Sequence, residues 1–268
     1  TTIIPGRKSA RGQKHAVGAW VKLASDKPGK TLVKVATSFT SIDNARKNLA
    51  CEIPGWDFNE VRQASSDTWN QTLGQIAVKG NNEEEKVKLY SALYNAHFLP
   101  RTFSDVDGSY PKFNGGGQIM KMDHGTYYCD FSQWDTYRAV HPLFSILTPS
   151  RNGDMAHSLV LKGQQGGWLP IFPSWNSYTA AMIGDHCIAM IGDAIIKDAP
   201  GFDYEEAYTL MRKNAFEANP DSGSYRDGKG RRAMESYLKY NYVPLEDQVM
   251  EAFHRREQVS RTLEYAYD

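Results

Sequence analysis

The sequence predicts a mainly α-helical protein that begins with a short β-hairpin. From Ser41 onward, apolar residues recur at helical spacing in segments separated by Gly, Pro and Asn. Three of these segments open with a helix-start signal, in which an Asp or Asn precedes a Glu by three residues, as at Asp57, Asn82 and Asp203. Before Ser41, two stretches alternate between apolar and polar residues, which is typical of strands.

The predicted hairpin consists of strands at residues 16–23 and 31–39, joined by the turn-forming segment 25–30. Two strands alone are marginally stable, so they should belong to a larger sheet. A further short strand is predicted at residues 76–78.

The rest of the chain alternates predicted helices with two long loops. Loops 100–131 and 164–177 are rich in Gly, Pro and aromatic residues, and long structured loops on a helical scaffold often carry function. The predicted helices cover residues 41–51, 57–73, 85–97, 132–148, 153–164, 178–198, 203–218, 229–240 and 246–266.

Composition argues against several functions. The formal net charge is +0, so there is no basic excess to neutralise nucleic-acid phosphates. No apolar run is long enough to predict a membrane span. The three cysteines lack metal-type spacing, and Cys187 is predicted to be a small buried apolar residue. We find no nucleophile elbow, phosphate loop, dinucleotide fingerprint or zinc signature.

The stretch 130–138 is the most informative part of the chain. It places Trp134, Asp135 and Arg138 at the start of an apolar helix. A flat aromatic face beside acceptors and a forked donor suits a polyhydroxylated ligand such as a sugar. The alternative is a capping box, in which Ser132 and Asp135 satisfy free amides at the helix start.

The predicted helix 178–198 is apolar on nearly every side, which indicates burial all round. It nevertheless contains Asp185, His186 and Asp193. A buried carboxylate needs a partner, so Asp185 and His186 either pair with other helices for structural reasons or face a polar cavity.

Three other features have two interpretations each. Asp105-x-Asp107-Gly108 is half of a calcium loop or a simple Asp-Gly turn. The loop around Trp168 is a pocket wall or a packed Ω-loop. Glu257 and Glu264 are seven residues apart on the last helix, and we interpret them as a solvated stripe.

Taken together, these segments resemble the glycoside hydrolase family 92 α-mannosidases, in order and over essentially the whole chain. The matching stretches are 53–58 (IPGWDF), Trp69-Asn70, 99–108 (LPRTFSDVDG), 134–138 (WDTYR), 167–170 (GWLP), 184–186 (GDH) and 259–268 (VSRTLEYAYD).

The resemblance implies a fold and a function. Residues 1–40 would be a remnant of an N-terminal β-sandwich, 41–80 a helical linker, and 81–268 the first part of an incomplete (α/α)6 toroid. The family's activity is exo-acting, inverting, calcium-dependent hydrolysis of α-mannosides in mannose-rich glycans. Most members are bacterial and exported, which implies a periplasmic or secreted location.

The resemblance also implies which residues bind substrate. Asp135, with Trp134 and Arg138, is expected to hold the terminal mannose, followed by Asp185, His186 and Trp168. The family's acid, base and calcium ligands are expected beyond Asp268, so no catalytic residue and no metal ligand is assigned in this chain.

The chain is therefore expected to be an internal fragment that is inactive alone and self-associates through an exposed apolar face of the half-toroid. Two alternatives remain open: a non-catalytic carbohydrate-binding module, and another α/α-toroid glycosidase acting on glucosides or uronates.

Overall fold

The computed structural model describes residues 29–179, 181–221, 228–245 and 258–268. The chain divides into two compact units, Thr1–Lys34 and Val35–Asp268. In the first unit, the described residues 29–34 are irregular. Every helix and strand of the described residues lies in the second unit. The predicted domain boundaries after residues 40 and 80 stay predictions.

The second unit is built mainly from helices, which confirms the predicted mainly α fold. None of the described helices combines the length and apolar character needed to cross a membrane. In chain order they are α1 (Ile42–Glu52), α2 (Phe58–Leu73), α3 (Glu83–Ala96), α4 (Gln133–Thr136), α5 (Val140–Leu147), α6 (Pro149–Gly166), α7 (Cys187–Ile196), α8 (Tyr204–Phe216), α9 (Met234–Tyr240) and α10 (Gln258–Tyr267).

The three predicted helix-start signals are confirmed. Asp57 precedes α2 and accepts hydrogen bonds from the backbone amides of Asn59 and Glu60. Asn82 and Asp203 cap α3 and α8 in the same way. These side chains satisfy amides that have no partner within the helix, which is why each helix begins where it does.

Helix α6 is the centre of the packing. It contacts α5, α7, α8 and the short strand Tyr128–Cys129 at the end of loop 100–131. Small residues allow this close approach, since a Cβ at Gly163 would lie 2.8 Å from Cδ1 of Leu210. The principal core consists of Tyr128, Phe131, Phe144, Met155, Leu159, Val160, Leu169, Cys187, Ile188, Met190, Ile191, Ala207 and Leu210. The prediction that Cys187 is buried is confirmed.

Loop 100–131 contains two short antiparallel ladders. Strand β1 (Arg101–Thr102) pairs with β4 (Tyr128–Cys129), and β2 (Ser109–Pro111) pairs with β3 (Ile119–Lys121). The loop is therefore ordered by its own backbone pairing and places the start of α4 directly after β4.

Asp105 and Asp107 hold this loop against α1, which favours the Asp-Gly turn over a calcium loop. The Asp105 carboxylate accepts hydrogen bonds from Asn44 (3.1 Å) and Asn48 (2.8 Å). Lys47 donates to Asp107 at 2.9 Å. Gly108 closes the turn with a φ of 81°. Because side-chain donors occupy these carboxylates, they do not present free oxygen ligands to a cation.

Two predicted strands are wrong. Residues 31–38 are irregular, and the exposed Val33 and Val35 have no neighbouring strand among the described residues. Residues 76–78 do not form a strand either, and the carbonyl of Ile76 accepts from the hydroxyl of Tyr90. An alternating pattern is a weak strand signal, because strand formation depends on packing against neighbours as well as on the sequence of the segment itself. The predicted strand 16–23 lies outside the described residues.

The predicted helix 132–148 is in fact two helices, α4 and α5. Pro142 lies in the first turn of α5. In a continuous helix, its ring would clash with the carbonyl of Arg138 and would remove one hydrogen bond. The chain therefore leaves the helical conformation at Ala139, whose φ is −141°, and begins again at Val140.

Two further helices begin later than predicted. The helix predicted at 178–198 begins at Cys187, because Gly184 adopts a left-handed conformation with φ of 80°. The helix predicted at 229–240 begins at Met234, after Gly230 and Ala233 take positive φ values. Of the helix predicted at 246–266, residues 246–257 lie outside the described residues, and α10 covers the remainder.

Candidate functional site

Trp134 and His186 meet residues of α10 in a polar cluster, which we call the Trp134–His186 cluster (Trp134, Tyr137, His186, Glu264 and Asp268). The indole Nε1 of Trp134 donates a hydrogen bond to Oε1 of Glu264 at 2.9 Å. The cluster thus joins α4, the turn before α7 and the end of α10.

His186 is held at one ring nitrogen and on one ring face. Its Nδ1 lies 2.9 Å from Oδ1 of Asp268, whose carboxylate accepts the hydrogen. Its Nε2 lies 3.7 Å from Oε2 of Glu264, and neither of these two buried atoms has a hydrogen-bond partner. The ring stacks on Tyr137 with a centroid distance of 4.1 Å. The His186–Glu264 gap is therefore the one place in this cluster where two polar atoms face each other unsatisfied.

Gly184 makes room for this arrangement. A Cβ at this position would lie 2.5 Å from Nε2 of His186 and 2.6 Å from Oε2 of Glu264. Its φ of 80° also disfavours an L side chain. The Gly-Asp-His sequence therefore turns the chain sharply and brings the imidazole against α10.

Asp185 lies behind the cluster and is sealed from solvent. Its carboxylate forms an ion pair with Nε of Arg231 at 3.2 Å and accepts from Nδ2 of Asn214 at 3.3 Å. Burial raises the pKa of Asp185 to about 6, and the Arg231 guanidinium opposes this rise. The prediction that Asp185 and His186 lie within a helix is wrong, because they precede α7. For Asp185, the structure favours the pairing interpretation.

Trp134, Asp135 and Arg138 do lie together at the surface. The Arg138 guanidinium stacks over the indole of Trp134 at 4.8 Å and over Tyr137 at 4.6 Å. Asp135 is exposed, and its carboxylate accepts from the hydroxyl of Ser132. Ser132 is at the N-cap but makes no side-chain capping bond. The capping-box interpretation is therefore wrong, because the Ser132 side chain bonds the Asp135 carboxylate and not a backbone amide of the helix.

Trp168 packs elsewhere. It is 8% exposed and belongs to a small aromatic cluster with Phe113 and Tyr178. The Tyr178 hydroxyl donates to the Trp168 carbonyl at 2.6 Å, and Lys213 Nζ lies 4.5 Å from the Trp168 ring. These contacts favour the packed-loop interpretation over a pocket wall shared with Asp135.

A cavity of about 370 Å³ lies beside the cluster, between α7, α8, α9 and α10. Its lining includes Ile188, Met211, Tyr265 and Asp268. Asp135, Asp185 and His186 do not line it. The expected polar cavity facing Asp185 or His186 therefore does not correspond to this space, whose wall is mostly apolar.

Two acidic residues at the C-terminal end of α10 were not predicted as site residues. Glu264 was interpreted as part of a solvated stripe, whereas its side chain is only 17% exposed and bonds Trp134. Asp268 was given no role, yet its carboxylate is fully buried against His186. Glu264 and Asp268 are four residues apart, which puts both on one face of a helix. This spacing is the sequence signal that could have identified them. Glu257 lies outside the described residues.

A model of the glycosyl hydrolase family 92 catalytic domain matches residues 44–268. This chain belongs to that family. The match is to the catalytic domain of a glycoside hydrolase family, and the resemblance based on the motifs of this chain is confirmed.

Solved structures of family 92 enzymes share the fold. The family 92 α-mannosidase BT3965 from Bacteroides thetaiotaomicron is 34% identical, with a TM-score of 0.73 over 86% of this chain and 28% of that chain. The family 92 inverting mannosidase BT2199 from the same organism is 28% identical, with a TM-score of 0.75 over 86% of this chain and 30% of that one. The predicted toroid class is confirmed by this similarity.

A curated relative is also a glycosidase. An uncharacterized secreted glycosidase of Arthroderma benhamiae is 26% identical over 251 residues, which make up 91% of this chain and 27% of the relative. The chain thus spans less than a third of the length of these relatives.

The described residues do not fit the calcium ion that the family resemblance implies. Calcium takes six to eight oxygen ligands. In the Trp134–His186 cluster, three of the four carboxylate oxygens of Glu264 and Asp268 accept from Trp134, His186 and the backbone amide of Asp185, which leaves only Oε2 of Glu264 without a partner. Over the residues that the structure describes, the one group with metal-ligand geometry contains two histidines, and imidazole suits transition metals rather than calcium.

Proposed function

We propose that this chain is part of an exo-acting, inverting, calcium-dependent α-mannosidase that acts on mannose-rich glycans. Family membership supports the glycosidase activity. Two solved relatives carry the description mannosidase, and one of them is described in complex with mannoimidazole. The relative described as secreted supports a location outside the cytoplasm, either secreted or periplasmic.

The observation that carries the proposal is the fixed indole of Trp134. Its Nε1 is held by Glu264 at 2.9 Å, and the exposed Asp135 and Arg138 adjoin it. A sugar ring stacks on a fixed aromatic face, while a carboxylate and a guanidinium accept from and donate to its hydroxyls. A rigid binding surface of this kind orients the terminal mannose before its glycosidic bond is hydrolysed.

The six residues predicted to bind sugar then divide into three sets. Trp134, Asp135 and Arg138 contact the terminal mannose. Asp185 and His186 support the site without contacting the sugar: Asp185 is buried against Arg231, and His186 stacks on Tyr137 and donates to Asp268. Trp168 supports the adjoining loop.

Inversion requires an acid that protonates the leaving oxygen and a base that activates water on the opposite face, with carboxyl groups roughly 6.5–9.5 Å apart. We assign neither role to the described residues. The acid, the base and the calcium ligands are instead proposed to come from the part of the enzyme that this chain does not include.

The direct test is a panel of aryl glycosides assayed with the complete protein. Aryl α-mannosides should be hydrolysed, with β-mannose as the first product by proton NMR. Chelation should abolish the reaction, and added Ca²⁺ should restore it. Faster hydrolysis of α-glucosides would indicate a different toroid glycosidase. Mannose binding without any hydrolysis would indicate a carbohydrate-binding module.

A further inference from the structure

A second polar cluster lies on different elements from the Trp134–His186 cluster. It consists of Asp123 and His124, in the loop after β3, and His157 on α6; we call it the His124–His157 cluster. One ligand atom from each of the three side chains lies within 4.8 Å of the other two. Asp123 and His124 are exposed, so the cluster is open to an ion from solvent.

The hydrogen bonds of His124 leave one nitrogen aimed at a carboxylate. Its Nε2 lies 2.9 Å from the carbonyl oxygen of Gly201, which can only accept, so Nε2 carries a hydrogen. Its Nδ1 lies 3.0 Å from Oδ1 of Asp123. Two acceptor atoms at this distance repel each other unless a proton or a metal ion lies between them. A ligating histidine whose other nitrogen donates to a carbonyl is the usual arrangement at metal sites.

His157 favours the metal ion over the proton. Its ring stacks on His124 with a centroid distance of 4.9 Å and an interplanar angle of 18°. Its Nδ1 is buried and has no hydrogen-bond partner. A positive charge on His124 alone would leave that nitrogen unsatisfied, whereas a shared ion uses a lone pair from both rings.

The donor set selects the class of metal. Two imidazoles and one carboxylate suit Zn²⁺ and similar transition metals, whereas Ca²⁺ and Mg²⁺ prefer oxygen ligands alone. The 3.0 Å between Nδ1 of His124 and Oδ1 of Asp123 is also close to the expected ligand spacing. Two ligands bound at ~2.0–2.1 Å around a tetrahedral ion lie ~3.3 Å apart.

We propose that Asp123, His124 and His157 bind one divalent transition-metal ion of the Zn²⁺ class. The ion ties the loop after β3 to α6, and solvent completes its coordination at the exposed side. Because Gly201 precedes α8 and holds His124 in place, the ion links three segments of the fold. This proposal does not depend on the proposed glycosidase activity.

The test is calorimetric titration of the protein with Zn²⁺ in the presence of excess Ca²⁺, which saturates any calcium site. We expect one Zn²⁺ per chain, a raised unfolding temperature, and no competition by Ca²⁺ or Mg²⁺. His157→Gln and Asp123→Asn should each weaken Zn²⁺ binding by at least about 10–100-fold. Bound Co²⁺ should give a visible spectrum that both variants lose.

His97→Gln is the matched control, since His97, at the end of α3, is like His157 a partly buried histidine with one unpartnered ring nitrogen. It should bind Zn²⁺ as the wild type does. Zn²⁺ affinity that is unchanged in both His157→Gln and Asp123→Asn would overturn the proposal. So would the absence of Zn²⁺ binding to the wild type, which would identify Asp123 and His124 as a simple ion pair.

Discussion

Trp134 and Glu264 are 130 residues apart in the chain, and the indole Nε1 of one donates to the carboxylate of the other at 2.9 Å. We expect Glu264→Leu to lower kcat/KM on aryl α-mannosides by about 100-fold, because a misplaced contact residue disturbs substrate orientation. It should also lower the free energy of unfolding by about 1–3 kcal/mol, because the indole loses its acceptor. Steady-state kinetics and urea unfolding measure the two effects.

Glu264→Gln is the control, because its amide oxygen still accepts from the indole. It should keep most of the stability that Glu264→Leu loses. Equal destabilisation by both substitutions would show that the Trp134–Glu264 hydrogen bond does not hold the indole.

The buried pair of Asp185 and Arg231 gives a second prediction. Arg231→Met should destabilise the protein by about 3–5 kcal/mol, because it leaves a buried carboxylate without its ion-pair partner. The double variant Asp185→Asn/Arg231→Met should recover much of that loss, since neither charge of the pair remains. Chemical unfolding of Arg231→Met, Asp185→Asn and the double variant gives the coupling energy between the two side chains. Additive effects of the two single substitutions would contradict the ion pair.

Gly153 and Gly192, both within helices, should respond in opposite ways to alanine. A Cβ at Gly153 would overlap the carbonyl of Pro200, so Gly153→Ala should destabilise by about 1–3 kcal/mol. A Cβ at Gly192 meets only Cε of Met211 at 3.6 Å, so Gly192→Ala should stabilise by about 0.5–1 kcal/mol. Thermal unfolding distinguishes them. Stability of Gly153→Ala at the wild-type level would contradict the close approach of α6 to Pro200.

His141 should make stability depend on pH. Burial lowers its pKa from 6.5 to about 4, so the folded state binds fewer protons than the unfolded state between these values. The contribution of His141 to the free energy of unfolding is therefore fully present above pH 6.5. It is lost as the pH falls towards 4, and the free energy of unfolding decreases by on the order of 3 kcal/mol. Unfolding free energies of the wild type and His141→Asn, compared at several pH values, isolate this residue. Parallel pH profiles would contradict it.

The sequence predicted helices well where capping residues and apolar periodicity agreed. Asp57, Asn82 and Asp203 placed three helix starts correctly, because a cap is a local interaction. The predicted helix bounds were wrong where a backbone effect overrode the apolar periodicity, as at Pro142 and Gly184. Both residues are visible in the sequence. The effect of proline on hydrogen bonding and of glycine on φ could have predicted that the helix is interrupted at each of these positions.

The candidate site was predictable only in part. Trp134, Asp135 and Arg138 lie in one short motif, so their proximity follows from local structure. The contacts of Trp134 with Glu264, and of His186 with Asp268, join residues more than 80 positions apart. Neither composition nor spacing specifies which distant carboxylate faces which ring, because that depends on how the helices pack. For the same reason, the burial of Asp185 against Arg231 emerged only from the fold.

The claim that Trp134, Asp135 and Arg138 hold the terminal mannose is tested most directly by Asp135→Asn in the complete enzyme. Asp135 is exposed, so its substitution should leave the unfolding temperature unchanged. The lost charged hydrogen bond should lower kcat/KM for aryl α-mannosides by about 10–100-fold. Wild-type kcat/KM in a folded Asp135→Asn enzyme would contradict the account.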